Sequence, residues 1–278
     1  MGNRPTTHLT FTLIHHKSQA EQLLAQAEQK DFYLTECHDD RSNSYARRQM
    51  TYAPNTISPI DVRFYTLQLD VLKDRVPVRL QHDLGPISII SLMPTADGGM
   101  PHTRPDAIIC YPDIQQVTSL TTLVHELWHI HQRKFQRLWS DVFRRLGWIE
   151  WQGRLPLSLE NHRRYNPDTI DSPLWAFKGV WVPVPVFHDV SRPAVADVSI
   201  WFYHTESRQH VKEVPLELAA VFPQLPAAAY EHPRELTAYM LSSSAASRGF
   251  SPGYRQLVEI LGHASEMDAE EGMNNQSL

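Results

Sequence analysis

The segment Val124–His129, which reads VHELWH, places the strongest constraint on how this chain can fold. Residues four apart on an α-helix lie one above the other, so a helix here would bring His125 and His129 to one side. Apolar residues at helical spacing would bury the same helix: Leu120, Leu123, Val124, Leu127 and Ile130. Because a buried helix has little reason to carry unpaired polar groups, the pattern indicates either a metal site or a hydrogen-bonded core pair, and it favours the metal site.

The residue types within this segment also indicate which metal chemistry would suit it. Neutral imidazole nitrogens bind Zn²⁺ at about 2.0–2.1 Å and suit Ca²⁺ and Mg²⁺ poorly. Glu126 follows the first histidine directly, where its carboxylate can reach a water held by the metal. Two ligands, one base and one open position are the minimum for metal-assisted hydrolysis.

Length and composition exclude several classes of protein. The chain has 278 residues, of which 42% are hydrophobic and 21% charged, as is usual for a soluble globular protein. A net charge of −5 without a basic block argues against a nucleic-acid surface. No apolar run approaches 18 residues, and the N-terminus lacks the basic region of a signal peptide, so we expect a cytoplasmic protein that does not cross a membrane. The two cysteines, Cys37 and Cys110, rule out a disulfide framework and leave one bridge as an alternative.

Periodicity predicts the secondary structure of the first eighty residues. Leu9–Ile14 is typical of a strand, and Ser18 is expected to cap a helix that ends near Lys30. The polar segment Thr35–Pro59 has the composition of a loop or flap. Asp61–Leu80 alternates apolar and polar residues and predicts a strand.

Two short apolar runs precede the metal helix. Ile87–Leu92 and Ala107–Cys110 are separated by Pro94–Pro101, whose Gly-Gly pair favours a turn, so the sequence predicts a β-hairpin. The second run could present a free edge to an extended peptide. We expect His102 to be exposed at the tip of the hairpin. We expect Asp83, with the histidine before it, to lie in a turn rather than at a metal.

The metal helix itself has clear boundaries in the sequence. Ser119 is a good N-cap, and the apolar pattern continues to Gly147. His131 lies about 240° round the helix from His125, so it should point away from a shared metal. Basic residues are expected to form the solvated face: Arg133, Lys134, Arg137, Arg144 and Arg145.

The remaining chain contains several shorter predicted elements. The 156–171 segment is loop-like, and Trp175–Phe187 contains two prolines, which cannot donate to a ladder and predict an edge strand or an extended segment. Val198–His204 predicts a strand, whereas Leu216–Val221 and Ser251–His263 predict helices.

Two histidines leave a zinc ion short of ligands, so the chain should supply a third donor. Pro233 suits the first turn of a helix whose apolar face would include Leu236, and Glu235 would lie in that first turn. Glu235 is therefore the preferred third ligand. Glu231 and His232, which precede this helix, stay open as alternatives.

These residues resemble the zincin metallopeptidases, and specifically the gluzincin-like branch, in which a glutamate on a later helix completes an H-E-x-x-H site. The resemblance covers only His125–His129 and Glu235–Ala238. It implies that His125, His129 and Glu235 hold Zn²⁺, and that Glu126 activates water.

The fold implied by this resemblance is α+β and two-lobed. Residues 1–147 would form a lobe with a small twisted mixed sheet packed on the metal helix, and residues 148–264 would form a mixed, mainly helical lobe. The acidic, polar tail over residues 265–278 is expected to be disordered.

The sequence departs from the family in places that limit a finer assignment. Tyr239 stands where some members carry an aspartate that supports a metal-bound histidine, and Phe135 stands where the metzincins have a third histidine. The glycine-rich signature of the large aminopeptidases is absent from the sequence.

The favoured function is therefore a zinc-dependent peptidase that acts on peptide or protein substrates, with Glu126 as general base. Two alternatives stay open: a non-catalytic, metal-stabilised peptide-binding protein, and a zinc hydrolase of a non-peptide amide. A further donor should stabilise the oxyanion in a hydrolase. The candidates for this role are Tyr203, His204, His210, Tyr230 and Tyr239.

Overall fold

A computed structural model describes residues 8–243 and 251–262 of the chain. Within these residues, helices combine with a four-stranded and a five-stranded sheet. The strands are β1 (Thr10–Ile14), β2 (Pro86–Ser91), β3 (His102–Arg104), β4 (Ile108–Tyr111), β5 (Trp148–Glu150), β6 (Trp175–Phe177), β7 (Trp181–Phe187), β8 (Val198–His204) and β9 (His210–Val211). The helices are α1 (Lys17–Asp31), α2 (Tyr33–Asp39), α3 (Arg41–Arg48), α4 (Pro59–Lys73), α5 (Val78–Asp83), α6 (Leu120–Lys134), α7 (Gln136–Arg145), α8 (Leu157–Glu160), α9 (Leu216–Val221), α10 (Pro233–Ser242) and α11 (252–262). The expected mixture of helix and strand is confirmed, whereas the two-lobed zincin arrangement stays a prediction.

The first sheet is mixed and has the strand order β1-β2-β4-β3. β1, β2 and β4 are parallel to one another, and only β3 runs antiparallel, with Thr103 opposite Ile109 of β4. The predicted hairpin of Ile87–Leu92 and Ala107–Cys110 is therefore wrong. The chain leaves β2 through the 3₁₀ turn Ala96–Gly99 and uses β3, not β2, to reverse onto β4. β4 consequently lies inside the sheet, and the edge strand beside the metal helix is β3.

Helices replace two other predicted elements. The predicted loop over Thr35–Pro59 is wrong, because α2 and α3 occupy much of it and Asp40 caps α3 by accepting a hydrogen bond from the backbone N–H of Asn43 at 2.7 Å. The predicted strand over Asp61–Leu80 is also wrong, because α4 and α5 form there. The buried residues of α4 have helical spacing: Tyr65, Leu69 and Leu72.

One of the two predicted N-caps, that of the metal helix, is confirmed. α1 begins at Lys17 with His16 as its N-cap, so Ser18 is not the cap. Ser119 does cap α6, because its side chain accepts a hydrogen bond from the backbone N–H of Thr122. The predicted continuous helix to Gly147 divides at Phe135, where α6 ends and α7 begins.

The second sheet is antiparallel and has the strand order β5-β6-β7-β8-β9. β7 pairs with β8 along its whole length, but it pairs with β6 only where Phe177 faces Trp181. The proline-containing strand is therefore internal in the sheet order and not an edge strand. Beyond Trp181, the backbone N–H of Arg164 donates to the carbonyl of Pro185 in place of a neighbouring strand.

The chain after residue 147 contains more strand than the sequence predicts. All five strands of the second sheet lie there together with α8 to α11, so this part of the chain is mixed, and its description as a mainly helical lobe stays a prediction. Val198–His204 and Leu216–Val221 form the predicted strand and helix, β8 and α9. α8 is a single turn in the otherwise loop-like 156–171 segment, and α11 lies within the predicted terminal helix.

One hydrophobic core extends across both sheets. It includes Leu13 of β1, Leu127 of α6, Phe177 of β6 and Leu257 of α11. The division into residues 1–147 and 148–264 stays a prediction. His263 and the predicted disordered tail from Ser265 lie outside the described residues.

Two further findings concern the cysteines and the lengths of the helices. Cys37 and Cys110 are both buried and neither forms a disulfide. Nowhere in the described part of the chain is a helix both long and apolar enough to span a bilayer.

A buried ion cluster connects α1 to the first sheet. The guanidinium of Arg104 on β3 donates to both carboxylate oxygens of Asp31, at 2.7 and 2.8 Å, and also to the carboxylate of Glu28 at 2.8 Å. The side chains of Arg104 and Asp31 are both fully buried. Removal of Asp31 would leave this buried guanidinium with the partly exposed carboxylate of Glu28 as its remaining charged partner.

We therefore expect Asp31→Ala to lower the free energy of unfolding by about 3–5 kcal/mol, measured by urea denaturation. The neighbouring pair between Lys30 and Asp106 is a matched control, because both side chains are largely exposed. Lys30→Ala should cost less than about 1 kcal/mol. Equal effects of the two variants would contradict a structural role for the buried cluster.

Candidate metal centre

Two helices bring the three predicted metal ligands together. His125 and His129 lie one turn apart on α6, and Glu235 projects from the first turn of α10, which packs against α6. The Nε2 atoms of His125 and His129 are 3.0 Å apart. The Oε2 atom of Glu235 is 3.3 Å from the first of these nitrogens and 3.5 Å from the second. The three donors therefore face one common point.

The start of α10 explains the position of Glu235. His232 is the N-cap of this helix, and its Nδ1 atom accepts a hydrogen bond from the backbone N–H of Arg234 at 3.1 Å. Pro233 occupies the first helical position, as predicted. The first turn of α10 therefore faces α6, and the carboxylate of Glu235 reaches the imidazoles.

The two alternative ligands lie elsewhere. The carboxylate of Glu231 forms an ion pair with Arg164. The imidazole of His232 lies 3.2 Å from the carbonyl oxygen of Pro173 and has its other nitrogen in the helix cap. Burial lowers the pKa of His232 to about 3, so this imidazole is neutral. Of the three candidates for the third donor, the structure brings Glu235 to the histidines.

The separations of the three donors fit a zinc ion. Ligands about 2.0–2.1 Å from a tetrahedral zinc lie roughly 3.3–3.4 Å from one another. The three observed separations, from 3.0 to 3.5 Å, bracket this value. Two imidazoles and one carboxylate are also a donor set that leaves the fourth position of a catalytic zinc open.

The hydrogen bonds of Gln132 prepare His129 for a metal. The side-chain nitrogen of Gln132 donates to the carbonyl oxygen of Arg234 and to the hydroxyl of Thr237, each at 3.0 Å. These two acceptors fix the orientation of the amide, so its oxygen faces Nδ1 of His129 at 3.0 Å. Nδ1 therefore carries the proton, and the lone pair of Nε2 faces the common point.

Asn166 holds the second oxygen of Glu235. The amide of Asn166 donates to Oε1 of Glu235 at 2.9 Å, while Oε2 faces the histidines. Asn166 is itself held, because its side-chain oxygen accepts a hydrogen bond from the backbone N–H of Asp168 at 2.9 Å. The carboxylate is thus oriented to offer one oxygen to a metal.

The electrostatics of the centre favour a cation. Although burial by itself would lower it, the carboxylates of Glu235 and Asp168 raise the pKa of His129 to about 9. Burial opposes ionisation of Glu235, but His129 and His125 together hold its pKa well below the usual range. The centre therefore binds positive charge, either as a proton on His129 or as a metal ion.

Glu126 lies beside the three donors in an unusual environment. It is almost fully buried, and its Oε2 atom has no hydrogen-bond partner among the described residues. Burial, together with Asp168 and Glu235, raises its pKa well above the usual range. A dication at the three donors would counter this shift, because a nearby opposite charge favours the ionised carboxylate. An unpaired, buried carboxylate at this place fits a group that handles the proton of a bound water.

Tyr239 is the oxyanion candidate that the structure places at the centre. It lies one helical turn after Glu235, and its ring packs edge-on against His125 with the ring centroids 4.7 Å apart. It also lines the cavity beside the donors. Burial raises the pKa of Tyr239 to about 12, so its hydroxyl stays protonated and can donate a hydrogen bond.

The other four candidates for this role are not at the cavity. Tyr203, His204 and His210 belong to the second sheet, and the hydroxyl of Tyr230 donates to the carbonyl oxygen of Phe222. None of the four lines the cavity that contains His125 and Glu235.

Three other residues near α6 can be compared with their predictions. His131 points away from the centre, as predicted, and its Nε2 atom lies 2.9 Å from the carboxylate of Asp83 at the end of α5. His102 is buried and not exposed at a tip, because it lies in β3 and contacts the hydroxyl of Tyr52 at 2.8 Å. Arg133 is not on a solvated face, because it is largely buried in an ion pair with Asp171 at 2.8 Å.

A cavity of about 470 Å³ opens beside the three donors. His125, Glu126, Glu235 and Tyr239 line it, as do Asp97 and Met100–His102, which precede and begin β3. The cavity therefore brings together the proposed base Glu126, two of the three metal donors and Tyr239. A substrate of limited size could reach all of them there.

Comparison of the chain with protein-family models, with curated proteins and with solved structures found no match. The zincin resemblance therefore depends on the residues and their geometry alone, and it stays a prediction.

Gln132 offers a test of the metal centre that leaves all three donors in place. We expect Gln132→Ala to weaken zinc binding by about 10–100-fold, because His129 loses the partner that fixes its protonated nitrogen. Competitive titration against a chromophoric chelator would measure the change. Gln136→Ala, at an exposed position of α7, is the matched control and should bind zinc like the unchanged protein. Equal affinities of the two variants would contradict the role given to Gln132.

Proposed function

We propose that this protein is a zinc-dependent metallopeptidase of the zincin type, closest in plan to the gluzincin-like branch. One observation carries the proposal. Three donors at zinc-like separations share a cavity with a buried carboxylate, Glu126, whose Oε2 atom has no partner. An isolated metal-stabilised core would need neither that carboxylate nor the cavity.

Each residue of the centre has a distinct role in the proposed mechanism. His125, His129 and Glu235 would hold the ion, which when bound polarises the scissile carbonyl and lowers the pKa of a water in its open position. Glu126 would accept a proton from the attacking water and deliver it to the leaving amine, so that the peptide bond and the water give a carboxylic acid and an amine. The hydroxyl of Tyr239 donates a hydrogen bond to the carbonyl oxygen as negative charge develops on it.

The residues behind the ligands support this mechanism by holding them still. Gln132 fixes the imidazole of His129, and Asn166 fixes the carboxylate of Glu235. Ligands held in advance would lose little freedom when an ion binds.

A zinc hydrolase of a non-peptide amide is the second candidate, and one observation favours it. The cavity beside the donors is small, about 470 Å³, and β3 does not offer a free edge for a long peptide. The same residues would have the same roles on a small amide. Activity against peptides and against small amides would separate the two candidates.

Removal and return of the metal tests both candidates. The zinc-loaded protein is incubated with a mixed peptide library and a set of small amides, and the products are identified by mass spectrometry. We expect hydrolysis that disappears after treatment with 1,10-phenanthroline and returns when zinc is added. Hydrolysis that is unaffected by the chelator, or no hydrolysis of any substrate by the zinc-loaded protein, would contradict the proposed function.

A further inference from the structure

The edge of the first sheet beside the metal centre is closed to an added strand. β3 is the edge strand, and the backbone N–H of Thr103 donates to the carboxylate of Asp168 at 2.7 Å. The hydroxyl of Thr103 donates to the same oxygen at 2.5 Å. A peptide that extends the sheet needs this N–H for its own main-chain carbonyl. An extended chain does not find this N–H free, which favours a substrate that places an end or a small group in the cavity.

An ion pair of Arg164 and Glu231 forms a wall of this cavity. The side chains are 8% and 4% exposed, and an Nη of Arg164 donates to Oε2 of Glu231. The other carboxylate oxygen, Oε1, is buried and has no hydrogen-bond partner among the described residues. A buried acceptor without a donor is costly, and such atoms in native structures usually await a ligand or an ordered water.

The charges around the cavity indicate what that ligand carries. Arg164 bears the single guanidinium among the residues that line the cavity. Five of these residues bear carboxylates: Asp97, Glu126, Asp168, Glu231 and Glu235. Arg47 neutralises Asp97 from behind at 2.7 Å. A zinc ion would balance Glu126 and Glu235. Glu231 pairs with Arg164, and the guanidinium of Arg234 donates to the carbonyl oxygen of Asp168. On this carboxylate-rich wall the acceptor left without a donor is Oε1 of Glu231, which suits a ligand group that donates hydrogen bonds and carries positive charge.

We propose that Glu231 binds a protonated amino group of the substrate, so that the protein hydrolyses the amide next to a free amino terminus. This inference rests on the proposed function and specifies its substrate. The ammonium group would donate to Oε1 of Glu231, while the following carbonyl lies toward the metal ligands. Arg164 is a positioning residue that holds Glu231 through its other oxygen.

A dipeptide library prepared in four forms tests the proposal with the full-length, zinc-loaded protein. The forms have both termini free, the amino terminus acetylated, the carboxyl terminus amidated, or both termini blocked. We expect acetylation to lower kcat/KM by about 10- to 100-fold, because a charge-assisted hydrogen bond is lost, and amidation to change it by less than about threefold. Equal hydrolysis of free and acetylated forms would overturn the inference and leave the proposed function standing. No hydrolysis of any form would overturn the proposed function itself.

Glu231→Gln separates substrate binding from a structural effect. The amide keeps an oxygen for Arg164 but loses the negative charge. We expect KM for the free-amino form to rise about tenfold with little change in kcat, and the slow hydrolysis of the acetylated form to stay unchanged. Glu213→Gln, at an exposed position before α9, is the matched control. Equal loss on free and acetylated forms would show that Glu231 does not recognise the amino group.

A second surface carries an independent inference. α4 has an apolar stripe on its exposed side, formed by residues at helical spacing that are 80%, 50%, 65% and 62% exposed: Ile60, Phe64, Leu67 and Val71. No described element covers this stripe. The opposite face of α4 is buried through Tyr65, Leu69 and Leu72, so the helix is apolar on two sides. Large apolar side chains exposed as one continuous stripe mark an interaction surface.

The charges beside the stripe fit a second copy of the same helix. Arg63 and Asp70 are exposed on the same flank, one on each side of the centre of the stripe near Leu67. When two copies of α4 cross antiparallel about a two-fold axis at that centre, Arg63 of each copy faces Asp70 of the other. A two-fold interface is self-complementary in this way. We infer that α4 forms the interface of a homodimer.

Sedimentation equilibrium of the full-length protein tests this inference. We expect a dimer for the unchanged protein, a monomer for Leu67→Lys, and a dimer for the control Leu216→Lys, which changes a leucine that is 84% exposed on α9. Arg63→Asp should weaken the dimer, and Arg63→Asp combined with Asp70→Arg should restore it. A monomeric unchanged protein, or a dimer that is insensitive to Leu67→Lys, would overturn the inference.

Discussion

Replacement of Glu126 by glutamine is expected to lower kcat/KM by about 10²- to 10⁴-fold, the range that a general base supplies. Glutamine has nearly the same shape but cannot accept the proton of the attacking water. Since Glu126 is not one of the three donors, the variant should still bind about one zinc ion per chain. Steady-state kinetics and elemental analysis of the same preparation would show the loss of turnover and the retained metal together.

The control for this experiment has to exclude a general effect of changing a glutamate. Glu217→Gln alters an exposed residue of α9 and should keep full activity. Retained activity in Glu126→Gln would rule out the proposed mechanism. Loss of zinc from this variant would instead assign Glu126 to the metal and not to the proton transfer.

Replacement of Glu235 by alanine is expected to abolish tight zinc binding. The unchanged protein should contain about one zinc per chain, and the variant, with only His125 and His129 left, should lose most of it on dialysis. Elemental analysis after dialysis gives the stoichiometry. Activity should disappear with the metal.

Two companion variants make this result specific to Glu235. Glu231→Gln should keep its zinc, because Glu231 pairs with Arg164 and not with the histidines. Glu235→Gln retains the volume and the hydrogen bond from Asn166, so loss of zinc there cannot be attributed to a collapsed side chain. Zinc retained in Glu235→Ala and lost in Glu231→Gln would move the third ligand to Glu231.

The metal helix could be predicted from sequence because its signals are local. Ser119 caps its first turn, and the two histidines and Glu126 lie within the next two turns. The start of α10 is equally local, since Pro233 and Glu235 stand in its first turn. Local signals of this kind do not depend on how the rest of the chain folds.

The sequence of α4 predicts a strand because apolar residues occupy two faces of the helix. Tyr65 and Leu69 face the core, whereas Phe64 and Leu67 face outward. Together they form a run that resembles alternation and obscures the helical period of 3.6 residues. The exposed apolar stripe of α4 therefore obscures the helical spacing of the residues that face the core.

The segment containing α2 and α3 could not be predicted, because its polar residues find partners far away in the chain. Arg47 binds Asp97, fifty positions later, and Asn43 donates to the carbonyl oxygen of Arg163. A window of local sequence shows these residues only as polar. Their burial is decided by tertiary contacts that override local composition.

The residues that hold the metal ligands in place also differ in how far apart the contacting residues lie along the chain. Gln132 stands three positions after His129, so helical spacing could have indicated it. Asn166 lies 69 positions before Glu235 in a loop, and nothing in the sequence relates the two. Tyr239 is four positions after Glu235, which could have set it apart from the other four oxyanion candidates.

Because α6 and α10 both supply metal donors, a bound metal would also connect two distant parts of the chain. Gln132 and Arg234, which join the two helices beside the donors, lie 102 positions apart along the chain. A zinc ion shared by both helices would act as a removable cross-link that closes a loop of this length. Unlike a disulfide, it would stabilise the protein by binding to the folded chain only, and a chelator could remove it without unfolding the protein. The melting temperature should therefore follow the concentration of free zinc, and it can report metal occupancy before any substrate is known.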